Sequence, residues 1–465
     1  MSNTNNTISV SHIAKGKLVE GTELEYGPAH KRFTTPALNF QALLWNRQNP
    51  GPAFDVPLDE ILLILEETAN WLRQDPEGLV AQALAKAIEN NPMNPSVMRS
   101  SYEVLPDMFN RKLIMTQIDN ELGGAKAVDG WYSVDNMASG RTARMRAFPS
   151  RILHVIAGNA PGVAATSIIR GAVTKGVNLI KLPSNDLFTT GAILRGVSAV
   201  APNSPTAQSF SAAYWQGGDD KVESLIMRSQ FFDKFAAWGG ESTLRSAKKY
   251  ISPGFELVAF DPKTSISMIG KEVFESDEIM RDVADKTAAD ICLVDQLACA
   301  SSRFQYIEGS EEQVDQFCEE LQKRIGVERM FGSADGMPVP NSLREEIDGL
   351  RSMPDYYRVW GDYSGKGLVI RSDEPVEFHP EYRIANVVRV PDLEEVISEV
   401  NVATQTVSIY PPARRIEFRD RLASAGAQRV TDIGGAGWME GGLGHDGFFP
   451  MQRLVRWLND EGELG

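Results

Sequence analysis

The segment DICLVDQLACASSR (290–303) places a cysteine where it could act as a nucleophile. Cys299 follows the polar pair Asp295–Gln296 and precedes a turn of small residues, and a strand is predicted over Arg303–Ile307. The thiolate is the reactive form of cysteine, and it favours a polar, partly open loop with backbone N–H groups facing the sulfur. The alternative is a small apolar core residue, which is what many cysteines are. Both interpretations are open from this segment alone.

The other cysteines and the histidines point to no second centre. Cys318 lies on the apolar face of a predicted helix over 311–325, and Cys292 lies in an apolar run, so both are interpreted as core residues. The five histidines show no H-E-x-x-H and no spacing suited to zinc, and no metal site is predicted. His445-Asp446 resembles a base oriented by an acid, but a Gly-rich loop closing on a sheet is the preferred interpretation.

Two loops that follow predicted strands carry residues able to bind a ligand. Gly158–Gly162 joins a strand to a helix, and Asn159 within it could donate its amide to a developing oxyanion. Lys181 ends the next strand with Ser184 nearby, where a basic side chain can reach a nucleotide ribose or its 2′-phosphate. The alternatives are a plain strand-to-helix turn and a solvated lysine.

A third loop opens a helix after the predicted strand Lys234–Trp238. The N–H groups and dipole of a helix N-terminus suit a pyrophosphate. The segment is not G-x-G-x-x-G, and a plain turn is equally compatible with it. Its candidate cofactor-binding residues are Gly239, Gly240, Glu241, Ser242 and Thr243.

Composition limits the class of protein. The net charge of −15 argues against a nucleic-acid partner, because phosphate binding needs a basic face. Three cysteines in 465 residues form no disulfide framework and indicate a reducing compartment. The polar start MSNTNNTISV has no apolar segment typical of a secretory signal, and no run approaches the roughly 18 apolar residues of a membrane span. We therefore expect a soluble cytoplasmic protein.

The order of elements predicts an α/β protein with a doubly wound parallel sheet. The first 50 residues show little periodicity and are predicted to be an irregular arm, and helices follow to about residue 122. From about residue 149 strands alternate with helices through short Gly-rich turns, and such sheets bind ligands beyond the carboxyl ends of their strands. Two extended runs are predicted after Pro262, and a Gly-rich tail from Gly434 is predicted to end in a helix. Two domains are expected: residues 1–262 with the tail 441–465 packing back on them, and residues 263–440 with the cysteine.

Several motifs, in this order, resemble the aldehyde dehydrogenase superfamily and, within it, the LuxC-type acyl-CoA reductases. The resemblance covers about residues 146 to 457, and its most specific elements are the DQxxC box and the downstream HDG element. The motifs are RAFPSRILHVIAGNAPG (146–162), IKLPSNDLFT (180–189), AAWGGEST (236–243), FDPKTSISMI (260–269), DICLVDQLACAS (290–301), TQTVSIYP (404–411) and GHDGFFPMQRLVRW (444–457).

This resemblance implies an aldehyde dehydrogenase-like fold and roles for the candidate residues. Cys299 would accept the acyl group and Asn159 would hold the oxyanion. Lys181 and Ser184 would face the adenosine ribose, and Gly240 to Thr243 the pyrophosphate. Many NAD-preferring relatives have a glutamate where Ser184 lies, so NADPH is preferred over NADH. The glutamate that hydrolytic enzymes keep is replaced here by Ala259, which fits a reductase of acyl thioesters.

The resemblance also leaves alternatives. The substrate is expected to be an acyl-CoA, with fatty acyl groups preferred, and an acyl-carrier protein would undergo the same chemistry. An aldehyde dehydrogenase working in the oxidising direction would need a water-activating base, and a non-catalytic scaffold would be expected to lose Cys299 or Asn159. Homo-oligomers, dimers or tetramers, are implied, and in bioluminescent systems an acyl-transferring complex.

Overall fold

The computed structural model describes residues 8–438 and 441–462. The chain divides into two compact units. Unit 1 consists of Met1–Asn91, Ser101–Asp261 and Gly441–Gly465, and unit 2 of Pro92–Ser100 and Pro262–Glu440. Most of the polar start, on which the prediction of no secretory signal depends, lies outside the described residues, as do Met439 and Glu440 in the tail. Within the described ranges no helix has the length and apolar character needed to span a bilayer.

The N-terminal arm contains regular structure, so the prediction of an irregular segment is wrong. Its strands have only two or three residues, which is too short for a period-two pattern. β2 pairs with the adjacent β3 on one side and with a strand near residue 212, far along the chain, on the other. The arm elements are β1 (Ile8–Ser9), β2 (His12–Ala14), β3 (Lys17–Val19), β4 (Leu24–Tyr26), β5 (Phe33–Thr35) and α1 (Phe40–Leu43).

A helical region follows the arm, as the periodicity predicts. In α2 the apolar residues at helical spacing, Leu58, Ile61, Leu62, Leu65 and Leu72, are all buried. The helix ends at Asp75, which adopts the left-handed conformation. The helices are α2 (Leu58–Gln74), α3 (Leu79–Asn90), α4 (Pro95–Glu103), α5 (Arg111–Leu122) and α6 (Ala125–Asp129), with a 3₁₀ turn at Leu105–Phe109.

Unit 1 is built on a seven-stranded sheet of order β12-β11-β8-β9-β10-β2-β3, whose first five strands are parallel. Its strands alternate with helices as predicted, because each apolar run is buried and each Gly-rich turn exposes polar groups. The elements are β6 (Tyr132–Asn136), β7 (Arg141–Pro149), β8 (Arg151–Val155), α7 (Pro161–Val173), β9 (Val177–Lys181), α8 (Thr189–Val200), α9 (Pro205–Gln208), β10 (Phe210–Ala213), α10 (Asp220–Ile226), β11 (Lys234–Trp238), α11 (Glu241–Lys248) and β12 (Glu256–Phe260).

Unit 2 has its own seven-stranded sheet, of order β15-β16-β17-β14-β13-β18-β19, parallel except for the edge strand β15. One strand follows Pro262 before the next helix, rather than the two extended runs predicted, because Lys271–Phe274 forms a 3₁₀ turn. The elements are β13 (Thr264–Ile269), α12 (Asp277–Cys292), β14 (Ser302–Glu308), α13 (Glu311–Ile325), α14 (Asn341–Arg351), β15 (Arg358–Gly361), β16 (Leu368–Ser372), β17 (Ile384–Val390), β18 (Thr404–Tyr410), α15 (Pro412–Ala425) and β19 (Arg429–Asp432).

The predicted helix of the tail is present but short, because the residues that follow it form a strand. α16 (Pro450–Leu454) is a single short turn of helix, and β20 (Val455–Asp460) continues directly from it. β20 pairs antiparallel with β7 along its whole length, with Trp457 opposite Ala147, and forms the sheet β20-β7-β6. The alternating apolar residues obtain their partner strand from more than 300 positions earlier in the chain, which no local pattern reveals.

Candidate active site

The loop that carries Cys299 has an unusual backbone. After α12 three consecutive residues, Val294, Asp295 and Gln296, adopt positive φ angles of 52°, 53° and 64°. None of them is glycine, and such conformations cost about 1–3 kcal/mol each unless the surroundings hold them. The sequence gives no sign of this strain.

The polar pair of the DQxxC box provides the interactions that hold the loop. The Asp295 carboxylate accepts hydrogen bonds from the Arg383 guanidinium at 2.5 Å and from the Asn94 backbone N–H at 2.9 Å, and neither Asp295 nor Arg383 is exposed. Asn94 belongs to the segment Pro92–Ser100, which lies in unit 2, whereas the sequence predicted an N-terminal domain over residues 1–262.

Gln296 fixes the loop to the start of β17. Its Nε2 donates to the Ile384 carbonyl at 2.8 Å, and its Oε1 accepts from the Ile384 N–H at 3.1 Å. These two hydrogen bonds attach the Gln296 side chain to the backbone of the first residue of β17. Asp295 and Gln296 are therefore supports of the cysteine loop, a role that the sequence alone did not indicate.

Cys299 is half-buried and lies among polar groups of unit 2. The Gln405 Nε2 donates to its Sγ at 3.0 Å. Its carbonyl accepts from the Ser265 hydroxyl at 2.7 Å, and the same hydroxyl oxygen accepts from the Thr406 N–H at 3.1 Å. The alternative interpretation, a small apolar core residue, required the sulfur to be buried in the hydrophobic core. The structure does not place it there.

The cysteine loop lies at the amino ends of the parallel strands of unit 2. Ser265, Ser302 and Gln405 are at or next to the first residue of β13, β14 and β18. Functional residues are expected beyond the carboxyl ends of the strands, but in unit 2 the cysteine loop lies at the opposite, amino ends. The reason is that the nucleophile precedes its strand, in the loop from α12 to β14.

Two arginines of unit 2 interact electrostatically with Cys299. Burial lowers the pKa of Arg303 to about 10, while Glu381 and Cys299 act in the opposite direction. Burial also lowers the pKa of Arg429, against the effect of Asp290 and Cys299. Both guanidinium groups donate to backbone carbonyls. The carbonyl that accepts from Arg303 is that of Pro380, at 2.8 Å.

The two other cysteines are buried, as the sequence predicts. Cys318 is fully buried on the inner face of α13, and burial raises the pKa of its thiol well above the usual value. Burial raises the pKa of Cys292 to about 12, and its Sγ contacts the Ile325 carbonyl at 3.3 Å. Both thiols are therefore protonated and inaccessible near neutral pH.

In unit 1 the three candidate loops follow neighbouring strands. β11, β8 and β9 are adjacent in the sheet, and the loops at Gly239, Asn159 and Lys181 begin at their carboxyl ends. Parallel strands end at the same edge, so the structure places these three loops side by side. Cys299 belongs to unit 2.

The turn at Gly158 is tightly packed against the loop that follows β9. Asn159 itself is exposed. A Cβ added to Gly158 would lie 2.2 Å from the Asn185 Oδ1 and 3.0 Å from the Asp186 Cβ. The Asn185 amide also donates to the Asn91 Oδ1 at 3.0 Å, so it cannot move without losing that bond. Glycine at this position therefore permits the close approach of two loops.

The Gly158→Ala substitution is expected to destabilise unit 1. The added methyl group must displace Asn185, and overpacking of this kind costs about 1–3 kcal/mol. Gly191 on α8 is a matched control, because a Cβ there meets nothing within 4 Å; alanine in a helix is favoured by about 1 kcal/mol. Thermal unfolding measures both variants. Equal melting temperatures for the two would contradict the packing described.

Lys181 and Ser184 lie in different environments. The Lys181 Nζ lies over the rings of Tyr214 and Trp215, 5.7 Å and 5.6 Å from their centroids. Burial lowers the pKa of Lys181, and Glu223 opposes that shift. Ser184 is exposed in the loop beyond the strand. A cation whose stem is buried and whose head lies near this edge can pair with a ligand anion.

The third loop presents the N-terminus of α11. Gly240 is its N-cap and supplies no side-chain cap, so the first N–H groups are not bound by a capping side chain. A Cβ on Gly240 would meet nothing within 4 Å, which leaves space for a ligand. Gly239 is packed against Thr243, and the exposed Glu241 pairs with Arg245 at 2.5 Å. Ser242 is exposed as well.

The HDG element lies near the ends of β11 and β12. The His445 ring makes edge contacts with Trp238 and Phe260, and its Nδ1 lies 3.6 Å from the Asp446 carboxylate. Burial lowers the pKa of His445. Backbone hydrogen bonds between His445 and Phe448 close the Gly-rich loop, in agreement with the preferred interpretation.

Two features bear on the choice of chemistry. Ala259, in the place of the expected hydrolytic glutamate, is a residue of β12 paired with Ala237, and its methyl group cannot act as a base. Among residues 8–438 and 441–462 no cluster of three histidine, cysteine or acidic side chains could hold a metal ion.

Comparison with known proteins decides the family. The family model described as "Acyl-CoA reductase (LuxC)" matches residues 53–457. The chain belongs to the LuxC family. Among its curated relatives is a long-chain acyl-protein thioester reductase of Photorhabdus laumondii, 31% identical over 355 residues, or 74% of this chain and 69% of the relative. The corresponding protein of Vibrio harveyi is 28% identical over 347 residues, or 74% and 70% of the two chains.

Solved structures with the same fold are aldehyde dehydrogenases, which confirms the predicted fold class. An NADP-dependent glyceraldehyde-3-phosphate dehydrogenase of Bacillus halodurans has a TM-score of 0.70 at 15% identity, covering 98% of this LuxC-family chain and 100% of its own. The lactaldehyde dehydrogenase of Escherichia coli has a TM-score of 0.64 at 14% identity, with coverages of 97% and 99%.

Proposed function

We propose that this LuxC-family protein reduces a long-chain acyl thioester to the aldehyde through an acyl group carried by Cys299. The observation that carries the proposal is the Cys299 Sγ, half-buried among polar groups with the Gln405 Nε2 at 3.0 Å. Membership of the family and the names of its relatives support the same reaction.

The protein's own residues act in two stages. The Cys299 thiolate attacks the thioester carbonyl, the carrier sulfur leaves as a thiolate, and an acyl-cysteine remains. After reduction the thiohemiacetal loses its proton and collapses, releasing the aldehyde and restoring the Cys299 thiolate. The Asn159 amide and the Cys299 backbone N–H are proposed to stabilise the oxyanion, and one such donor typically contributes about 3 kcal/mol to the barrier.

A nicotinamide cofactor is proposed to bind at the carboxyl edge of the unit 1 sheet. The uncapped N-terminus of α11 and the open space at Gly240 suit a pyrophosphate. Lys181 would pair with the ribose or a 2′-phosphate, and the lack of an acidic side chain at Ser184 favours NADPH over NADH. When bound, NADPH supplies the hydride.

The absence of a base at Ala259 supports reduction rather than hydrolysis. An acyl-cysteine next to a water-activating carboxylate would be hydrolysed before it could be reduced. An alanine in β12 removes that competing reaction. The proposal therefore favours a reductase over an aldehyde dehydrogenase working in the oxidising direction.

The carrier of the acyl group has two candidates with the same chemistry. The relatives are named acyl-protein thioester reductases, which favours a protein-bound acyl group, whereas the family description names acyl-CoA. We propose the protein-bound thioester as the better substrate, with acyl-CoA accepted by the same cysteine. A cytoplasmic homo-oligomer, dimer or tetramer, is proposed from the family resemblance and can be tested by sedimentation.

A substrate and cofactor matrix tests the proposal. The protein is mixed with palmitoyl-CoA or a palmitoylated carrier protein, each with NADPH or NADH. We expect aldehyde in all arms, with the highest kcat/KM for the protein-bound thioester and NADPH. Aldehyde formed from acyl-CoA alone would overturn the carrier assignment. Fatty acid in place of aldehyde would overturn the reductase.

A further inference from the structure

Gln405 is a buried amide in contact with the reacting sulfur. It is the second residue of β18 and is 4% exposed, and its Nε2 donates to the Cys299 Sγ at 3.0 Å. The family resemblance assigns it no role. A buried N–H directed at a thiol favours the anionic form, because it stabilises the charge that develops on sulfur.

Neighbouring groups orient the amide. The Arg429 Nη1, which can only donate, lies 3.4 Å from the Thr406 Oγ1. The Thr406 hydroxyl therefore has its own hydrogen to direct at the Gln405 Oε1, 3.5 Å away. With the oxygen of the amide on that side, the N–H group faces the sulfur.

The Ser265 side chain holds the backbone of Cys299 close to the backbone of β18, which keeps the Gln405 amide near the sulfur. The Ser265 hydroxyl donates to the Cys299 carbonyl at 2.7 Å, and its oxygen accepts from the Thr406 N–H at 3.1 Å. One side chain thus joins the cysteine loop to the start of β18. The contact between Cys299 and Gln405, 106 positions apart, is built into the fold of unit 2.

We infer that Gln405 is a catalytic residue of the thioester reduction proposed above, on which this inference rests, and that its N–H stabilises the Cys299 thiolate. It acts twice. Before attack it increases the fraction of thiolate, and when the thiohemiacetal collapses it stabilises the sulfur that leaves with the electron pair. Gln405 forms no covalent bond and transfers no proton in either step.

The chemistry of the side chain also fits the fate of the acyl-enzyme. An amide donates a hydrogen bond to sulfur but cannot take a proton from water. A carboxylate in the same place would repel the thiolate and could activate water. Glutamine therefore provides stabilisation of the anion without the base that would hydrolyse the acyl group.

The test is the pH dependence of alkylation of Cys299 by iodoacetamide, without substrate or cofactor. Cys292 and Cys318 are buried with raised pKa values, so they contribute little signal. We expect the pH midpoint to rise by about one unit in Gln405→Ala, because hydrogen bonds to charged groups are among the stronger ones. Gln405→Glu keeps the size of the side chain and is expected to raise the midpoint at least as far. Gln322→Ala, which removes an amide on α13, is the matched control and should leave it unchanged.

The kinetic measurement separates this inference from the proposed function. Acylation at pH 7, followed by intact mass, should slow about tenfold in Gln405→Ala and recover as the pH is raised. If the alkylation midpoints of both Gln405 variants equal that of the parent protein, Gln405 only fills space and the inference is overturned, while acyl reduction by Cys299 stands. Aldehyde formation by Cys299→Ala would instead overturn the proposed function, whatever Gln405 does.

Discussion

The Cys299→Ala protein is expected to form no acyl adduct and no aldehyde. The proposed reaction passes through a bond to Sγ, and no other described sulfur can replace it, because Cys292 and Cys318 are buried. Loss of a covalent nucleophile typically lowers kcat by several orders of magnitude, about 10⁶-fold in the best-studied case. Intact mass after mixing with a palmitoyl thioester reports the adduct, and NADPH oxidation reports turnover.

Cys318→Ala is the matched control for this experiment. It removes a sulfur from the core of α13 and should lower stability while the acyl adduct still forms. Normal turnover by Cys299→Ala, or loss of the adduct in a folded Cys318→Ala protein, would show that the nucleophile has been assigned to the wrong residue.

Arg383→Met is expected to cause the largest loss of stability in unit 2. It leaves the Asp295 carboxylate unpaired in a position with no solvent exposure, and breaking a buried ion pair on one side costs about 3–5 kcal/mol. The three residues with positive φ would also lose a support. Thermal unfolding measures the stability, and hydrogen exchange of residues 293–301 should report the loosened loop.

Arg389→Met provides the comparison, on the strand β17 that begins immediately after Arg383. Arg389 pairs with Asp373 at the surface, where such pairs contribute about 0–1 kcal/mol. The Asp295→Asn, Arg383→Met double variant should lose less than the sum of its single variants, because both partners of one bond are then absent. A melting temperature for Arg383→Met equal to that of Arg389→Met would contradict the role of the buried pair.

The sequence predicted the elements whose signals are local. The strand Lys234–Trp238 and the helix Glu311–Ile325 have the bounds expected from their apolar patterns, and the latter has a capping box between Ser310 and Gln313. The strands of the arm and β20 were missed or read as another structure. β2 and β20 depend on partner strands that lie hundreds of residues away in the sequence. The other strands of the arm pair with one another, but strands of two or three residues carry no periodicity.

The same division applies to the candidate site. Cys299 and the three loops of unit 1 could be found, because each follows or precedes a recognisable strand or turn. The supports could not be found. Asp295 is paired with Arg383, 88 positions away, and the Cys299 sulfur accepts a hydrogen bond from Gln405, 106 positions away. Backbone strain at 294–296 is also invisible in a sequence that has no glycine there.

The order in which the chain is synthesised has a consequence for its folding. Unit 2 is complete once residue 440 has been made, whereas unit 1 still lacks β20, which pairs with β7 over six registered positions. The antiparallel sheet of unit 1 therefore cannot form in full until the residues of β20 have been made and released. Until the last strand arrives, β7 exposes an open edge to which chaperones, or the same strand of another nascent chain, could bind.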